Sequence, residues 1–378
     1  MKEKIVDLIT VLAVGAAIIA ASIAGKRITE KNDLEQIGSI LNSGNDYSVV
    51  NNNKWLILDE SGGIQGYLYN GEGRGYNGKV RIATVTKTDG SIISVSLISH
   101  TETPSFVNKI LRRNYTERFT GLEAGELLNS EENADVISGA TITCNAIREG
   151  IKDGYVSGEN LPRKDGLRIS AGWPEYMVLM LFILSVLISL KRLRPVRKYL
   201  QWLSWLVSVI FLGFVLGQPL TLPRFVSVFN GYMPVPATEL FIILLVVLAI
   251  AFILLSGKNH YCRYVCPFGA TQEILAAIGN ASAIRPKRFR LAKYLQWGIT
   301  LAAVILALLM NNPSIAEYSV FGAFFQLTGT TIIFILLMMS IIMSLFVKRP
   351  WCNYLCPVDG VMAYLRTLRR VVLNILRS

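Results

Sequence analysis

Histidine is nearly missing from this chain of 378 residues: His100 and His260 are the only two. A haem held between two histidines in an apolar helical half needs both ligands there. Only His260 is available, so the chain by itself is not a cytochrome b. Charged residues are sparse, at 17%. Acidic ones scarcely enter the long apolar runs, since Glu239, Glu317 and Asp359 fall at ends or in connecting loops. A proton or sodium relay through this chain alone is therefore poorly supported. There is no lysine-bearing phosphate loop, no G-x-G-x-x-G after a strand and no hydrolase elbow. The glycine-rich stretch Gly71–Gly75 lacks the lysine and helix of a nucleotide cradle. The single run C-x-x-C-x-x-C-x-x-x-C-P of bacterial ferredoxins is also missing, so a standard four-iron module is not expected.

What the chain has in abundance is apolar length. Hydrophobic residues make up 52% of it. Runs able to span a bilayer occur at Ile5–Ala24, Tyr176–Leu190, Leu200–Leu216, Leu240–Ser256, Leu295–Met310 and Thr330–Phe346. The first is longer than the core of a signal peptide and five more follow it, so it reads as an uncleaved anchor. The net charge of +12 does not imply nucleic acid, because its placement follows the apolar runs. With six spans and Lys2 and Lys4 inside, the cations around Lys191–Lys198, Lys258–Arg263, Arg285–Lys293, Lys348–Arg349 and Arg366–Arg370 all fall on the cytoplasmic side. The opposite loops, 217–239 and 311–329, carry only Arg224 as a cation. That asymmetry is the positive-inside pattern, and it predicts a multi-pass protein of the cytoplasmic membrane with both termini inside.

Residues 26–172 lie between the first two runs and are predicted to be extracytoplasmic. The polar stretch 26–53 has a helical look. Short alternating runs follow at Trp55–Leu58, Val80–Val85 and Ile92–Leu97, separated by Gly62-Gly63, Gly71–Gly75 and the hairpin signal Asp89-Gly90. Helical patterns at Ser105–Asn114 and Cys144–Tyr155 complete a small α+β domain. The expected organisation is an anchor at 1–25, this domain at 26–172 and a five-span membrane domain at 173–378.

Within the α+β domain, Asp135-Val-Ile-Ser138-Gly139-Ala140-Thr141-Ile-Thr143 combines an accessible backbone at Gly139 and Ala140 with three hydroxyls. It resembles the D-x-x-S-G-A-T-x-T signature at which a flavin transferase esterifies FMN phosphate onto the last threonine. Gly73-Arg-Gly-Tyr-Asn-Gly78, a strand, a hairpin and His100-Thr-Glu102-Thr103-Pro104 extend the resemblance to the FMN-binding domain of covalent flavoproteins. That domain occurs in the sodium-pumping NADH:quinone oxidoreductase and in Rnf complexes. The resemblance implies covalent FMN at Thr143 and a pocket that includes Glu102 and Thr103. Ser105 stands where the family usually has glycine, and His100 can equally be an ordinary strand-end histidine.

Four of the five cysteines sit in two C-x-x-x-C-P motifs, Cys262/Cys266 and Cys352/Cys356. Spacing of i, i+4 puts both thiols on one helical face. Four thiolates suit an iron–sulfur cluster or zinc, and each pair can also work as a dithiol or be a buried structural pair. The motifs end two similar stretches. Lys198-Tyr-Leu-Gln-Trp202 recurs as Lys293-Tyr-Leu-Gln-Trp297, and Ser227-Val-Phe229 recurs as Ser319-Val-Phe321. A duplicated two-span unit is expected, with the two cysteine pairs close together. Cys144 reads as packing.

Anchor, flavin domain, five spans and two C-x-x-x-C-P motifs together resemble the NosR/NirI-type membrane flavoproteins, above all the short C-type members encoded with respiratory reductive dehalogenases. Longer members carry a C-terminal ferredoxin domain, and here the sequence stops soon after Cys356. The resemblance implies electron transfer between a quinol pool (menaquinone) or cytoplasmic donor and an exported respiratory reductase. Redox sensing or maturation of that reductase is the alternative. In the simplest topology about 30 Å of hydrocarbon lies between inner cysteines and outer flavin, with no redox centre between them.

Overall fold

The structure is a computed structural model that describes residues 2–41, 46–59, 61–76, 78–102, 104–129, 136–137, 140–162, 171–232, 236–281 and 289–376. Asp135, Ser138, Gly139 and Thr103 lie outside the described residues.

The first element, α1 (Lys2–Leu41), is a single helix that runs straight through the boundary expected at residue 25. Gly25 sits where α1 crosses a later helix, and a Cβ there would lie 1.9 Å from the Leu308 carbonyl oxygen. Beyond that crossing α1 leans on the α+β domain: Asp33 pairs with Arg81, and Ile37 is buried with Trp55, Leu68, Ala83 and Ile98.

The domain itself is an antiparallel meander of β1 (Tyr47–Asn51), β2 (Lys54–Leu58), β3 (Ile64–Arg74), β4 (Lys79–Lys87) and β5 (Ile92–His100), in that spatial order. Asp89 closes the β4–β5 turn by accepting from the Ser91 N–H at 2.8 Å, and Gly90 takes φ +86°. Alternation sorts the side chains to two faces. Leu68, Ala83 and Ile98 face α1, whereas Val80 and Ile82 face α3 (Thr141–Gly158), which follows α2 (Pro104–Arg112).

The glycines at 71–75 were expected to break a strand, but β3 continues through them to Arg74. Their role is clearance for α3. A Cβ on Gly73 would sit 1.7 Å from the Ala146 carbonyl oxygen, and one on Gly71 would sit 2.1 Å from that of Gly150. Helix and strand backbones touch here with no side chain between them. Gly73→Ala should therefore push α3 off the sheet and cost the domain about 3 kcal/mol. Thermal unfolding followed by tryptophan fluorescence checks this, and an unchanged midpoint would mean that the contact yields.

The six apolar runs all become helical. They lie in α1, α4 (Trp173–Ser189), α5 (Arg197–Val207) with its π-helical continuation Ser208–Val215, α7 (Pro236–Ser256), α9 (Phe289–Leu309) and α11 (Thr331–Ser344). The short helix α6 (Leu222–Phe229) lies between α5 and α7. Among the described residues, Ile5–Ile40, Arg197–Val215 and Leu291–Leu309 are long and apolar enough to cross a membrane; the remaining three are shorter. Ile183, Leu203, Leu206, Leu306, Ile332 and Ile335 are all exposed on outward faces of these helices. Apolar outer faces of this kind suit lipid.

The cysteine segments do not cap this bundle; they fold back into it. After α7 the chain turns at Gly257 (φ +72°) and winds through Tyr261–Val265 before α8 (Pro267–Ile278). Ser204 donates to the Tyr264 carbonyl at 2.8 Å, and Ser208 donates to that of Val265. At ~1.5 Å per residue those serines stand about 10 and 16 Å from Arg197 along a helix of about 28 Å. The second motif follows α10 (Phe321–Phe325) and α11, spanning α12 (Pro350–Tyr354) and the start of α13 (Pro357–Leu376). Gln296, about 10 Å into α9 by the same rise, donates to the Cys356 carbonyl at 2.7 Å. Both motifs thus lie partway along the long helices.

Candidate functional sites

The flavin-side site is built where α3 begins. Ala140 is buried and supplies no side-chain cap, leaving the first-turn N–H groups without a side-chain acceptor at this cap. A helix start of that kind favours a phosphate. Thr141 is half-buried, and Thr143, two residues further along the helix, is buried. The Thr143 hydroxyl donates to Glu102 Oε2 at 2.6 Å, and Glu102 is itself fully buried. Glu102 in turn presses on the glycine loop, since a Cβ on Gly75 would lie 2.4 Å from its Oε1. A Cβ on Gly78 would lie 2.4 Å from Thr101 Oγ1. The two motifs quoted for the flavin resemblance are therefore wrapped around one another, with Thr143 against them. A buried hydroxyl, a carboxylate to accept its proton and an uncapped helix start together suit a threonine-linked phosphate.

Other positions in this domain have quieter roles. Cys144 is fully buried, with its sulfur 3.5 Å from the Ile137 N–H, and burial pushes its thiol up. It is a core residue. His100 ends β5, and burial holds its imidazole below the usual value, so it is neutral near pH 7.

The membrane half contributes residues that the sequence did not nominate as site residues. The Arg224 guanidinium lies 5.0 Å above the Tyr76 ring, and the Tyr232 hydroxyl donates to the Gly75 carbonyl at 3.4 Å. Tyr76 also meets Phe106 edge-on at 6.1 Å. Burial pushes the Tyr76 hydroxyl up, against the pull of Arg224. Glu317, beside Ser319, is pushed up to about 7 by burial even though the Ser319 hydroxyl and N–H pull it down. The loops 217–232 and 311–329 thus form a buried polar floor beneath the glycine loop. Arg224 carried a signal that could have exposed this, because it is a lone cation where the charge pattern disfavours one.

The cysteine site lies deeper in the bundle. Cys266 and Cys356 are buried, Cys262 and Cys352 half-buried, and all four are free thiols. They lie within electrostatic reach of one another, Cys262 with Cys266 and Cys352, and Cys356 with all three others. The two cysteine segments touch through Arg349, three residues before Cys352, which donates to the Cys262 carbonyl at 2.9 Å. Among the described residues, no three His, Cys, Asp or Glu side chains sit close enough to hold one metal ion. Tetrahedral zinc, with Zn–S bonds of about 2.3 Å, would need a tighter set than this. A four-iron cube spreads its thiolates more widely, and four thiols in apolar surroundings suit it. His260 is committed to packing: Ser185 Oγ is 3.1 Å from its Nδ1, and the Phe252 ring is 4.8 Å away.

Short contacts join the two sites. The Tyr261 hydroxyl, next to Cys262, accepts from the Leu220 N–H at 2.9 Å. The Phe268 ring, two residues beyond Cys266, is 5.4 Å from Phe321. Tyr318 Oη is 3.2 Å from Thr300 Oγ1, against which Gly360 packs four residues beyond Cys356. Leu220, Tyr318 and Phe321 all belong to the loops that meet the flavin domain.

Comparison with known proteins finds a matching domain family over each of the two regions. An FMN-binding domain family matches residues 75–156, and a 4Fe-4S binding domain family matches 238–290 and 328–375. The second match corrects the expectation that no standard four-iron module is encoded, and its two matched segments include the pairs Cys262/Cys266 and Cys352/Cys356. One component of the proton-translocating ferredoxin:NAD(+) oxidoreductase complex of Clostridium ljungdahlii is 26% identical over 34% of this chain and 72% of its own length. Protein NirI of Paracoccus denitrificans is 28% identical over 41% of this chain and 25% of its own. Regulatory protein NosR of Pseudomonas aeruginosa is 27% identical over 30% of this chain and 17% of its own. The chain thus spans only a minor part of the last two. No solved structure gives a significant match.

An FMN-binding domain joined to a 4Fe-4S domain on apolar helices defines a membrane electron-transfer flavoprotein. In this combination the chain is similar to the NosR/NirI-type FMN-binding membrane flavoproteins.

Proposed function

We propose that this chain carries electrons through the cytoplasmic membrane to an FMN held covalently on Thr143, and from there to an exported respiratory reductase. The observation that carries this is the set of contacts from the cysteine segments to the loops beneath the glycine loop. These packed side chains offer a path through protein from the cysteine segments to the loops beneath the flavin domain. In this reading the basic ends of the helices face the cytoplasm, six spans cross the bilayer, and a duplicated two-span unit supplies the two cysteine pairs. The anchor, flavin domain and membrane domain occupy 1–25, 26–172 and 173–378. A flavin transferase installs the FMN, and the resemblance to short C-type proteins makes a reductive dehalogenase the acceptor. The ultimate source is the quinol pool, with menaquinol foremost, or a cytoplasmic donor.

FMN and a 4Fe-4S cluster supply the electron storage. The protein's own residues do the rest. Thr143 anchors the phosphate, and Glu102 accepts the hydroxyl proton when the ester forms. Asp135, Ser138, Gly139 and Thr103 complete the pocket by resemblance. Cys262, Cys266, Cys352 and Cys356 hold the cluster, while Gln296, Ser204 and Ser208 fix the backbone on either side of it. The chain needs no general base beyond this.

The test uses sealed vesicles in which the basic side faces outward. A membrane-impermeant reductant added outside should bleach the enclosed flavin without detergent. Flavin that stays oxidised until detergent is added would defeat the proposal. It would favour the second reading, redox sensing, which the regulatory name of the NosR relative supports.

A further inference from the structure

A cavity beside the cysteines opens at the basic ends of the helices, with a volume of about 1020 Å³. Its wall carries Arg197, Lys258, Arg263, Lys348, Arg349 and Arg366, against only Glu273 and Asp359. Both carboxylates are already paired. Glu273 takes Arg349 at 2.6 Å, and Asp359 takes Lys293 at 2.7 Å and Arg366 at 3.6 Å. The cavity therefore keeps a surplus of positive charge, with Lys258 and Lys348 exposed at its edge. Cys262 is the one site cysteine on its lining. Arg349 ties wall to floor by donating to the Cys262 carbonyl at 2.9 Å and the Arg263 carbonyl at 3.0 Å.

Charge alone would say little, since cations at this end also serve topology. Here, however, they surround a concave opening whose floor is a cluster thiol. Six cations on this wall outnumber its two carboxylates, which are already paired. That surplus suits the carboxylate-rich rim of a protein whose redox centre must come near Cys262.

We propose that this cavity is the docking port of a soluble, acidic one-electron carrier protein, which delivers electrons to the cluster at its Cys262 edge. The inference rests on the electron-transfer reading above and names its donor side. Each encounter oxidises the carrier by one electron and reduces the cluster by one, with no bond made or broken and no proton moved. Two encounters supply the two electrons that the flavin passes on. Complementary charge steers the carrier and makes its association sensitive to salt.

The experiment places the full chain, co-expressed with flavin transferase, in nanodiscs of zwitterionic lipid and titrates it with a small acidic [2Fe–2S] ferredoxin. Basic cytochrome c serves as the opposite-charge probe. Ferredoxin binding that weakens as ionic strength rises, and about tenfold on Lys258→Glu with Lys348→Glu, is the expected result. Equal affinity in the double variant overturns the inference, as does failure of ferredoxin to bind. Co-purified acidic lipid filling the cavity in place of the ferredoxin overturns it as well. Arg197→Glu gives a second reading if the double variant is poorly made, and covalent flavin fluorescence reports folding. Iron measured on the same samples tests the underlying reading separately: binding without iron would spare the port and sink the cluster.

Discussion

Thr143→Ala should yield a protein with no flavin fluorescence after denaturing electrophoresis, whereas Thr141→Ala should keep it. Both threonines lie in the first turn of α3, so composition alone cannot choose between them. The difference is their surroundings. Thr143 is buried, and its hydroxyl donates to Glu102 at 2.6 Å, which orients the oxygen and gives its proton a destination. Thr141 is half-buried, and among the described residues no carboxylate accepts from its hydroxyl. Thr143→Ser should retain part of the label, because it keeps the oxygen. Glu102→Gln should slow attachment while leaving the domain folded, since glutamine can still bond to the hydroxyl but cannot take up its proton. In-gel fluorescence and intact mass read all four variants. Label that persists in Thr143→Ala and vanishes in Thr141→Ala would move the ester to Thr141.

Much of the architecture was legible in the chain, and the parts that were not share a physical cause. Periodicity located the six long apolar helices, the strands at Trp55–Leu58, Val80–Val85 and Ile92–Leu97, and the Asp89-Gly90 turn, because each depends on neighbours in sequence. The glycine run was misjudged for the opposite reason. Nothing near Gly71 or Gly73 reveals that α3, some seventy residues later, will press its backbone against theirs. The cysteine motifs were recognised as a pair of pairs, but their depth was not. Depth is set by Ser204, Ser208 and Gln296, ordinary polar residues in apolar helices whose targets are distant carbonyls. Arg224 and Tyr76 likewise acquire meaning only when loop and domain meet.

That depth sets the second large effect. Cys266→Ser or Cys356→Ser should abolish the cluster, taking iron from about four per chain to background. These two are the buried members of their pairs. A serine hydroxyl there is a poor iron ligand, and bulk water cannot easily reach the position to substitute. Cys262→Ser is the more forgiving change, since Cys262 borders the cavity and solvent can take up a vacated ligand position. Cys144→Ser is the control: it sits in the flavin-domain core and should leave iron untouched, whatever it costs in stability. In the sealed-vesicle assay the Cys266 and Cys356 variants should keep covalent flavin yet lose its reduction from the basic side. Iron loss with unchanged flavin bleaching would separate the cluster from the electron path, and a direct route from quinol to the outer loops would then have to carry the current. Loss of both together ties the cluster to the flavin through Tyr261, Phe268 and Tyr318, the side chains by which the two ends of the bundle meet.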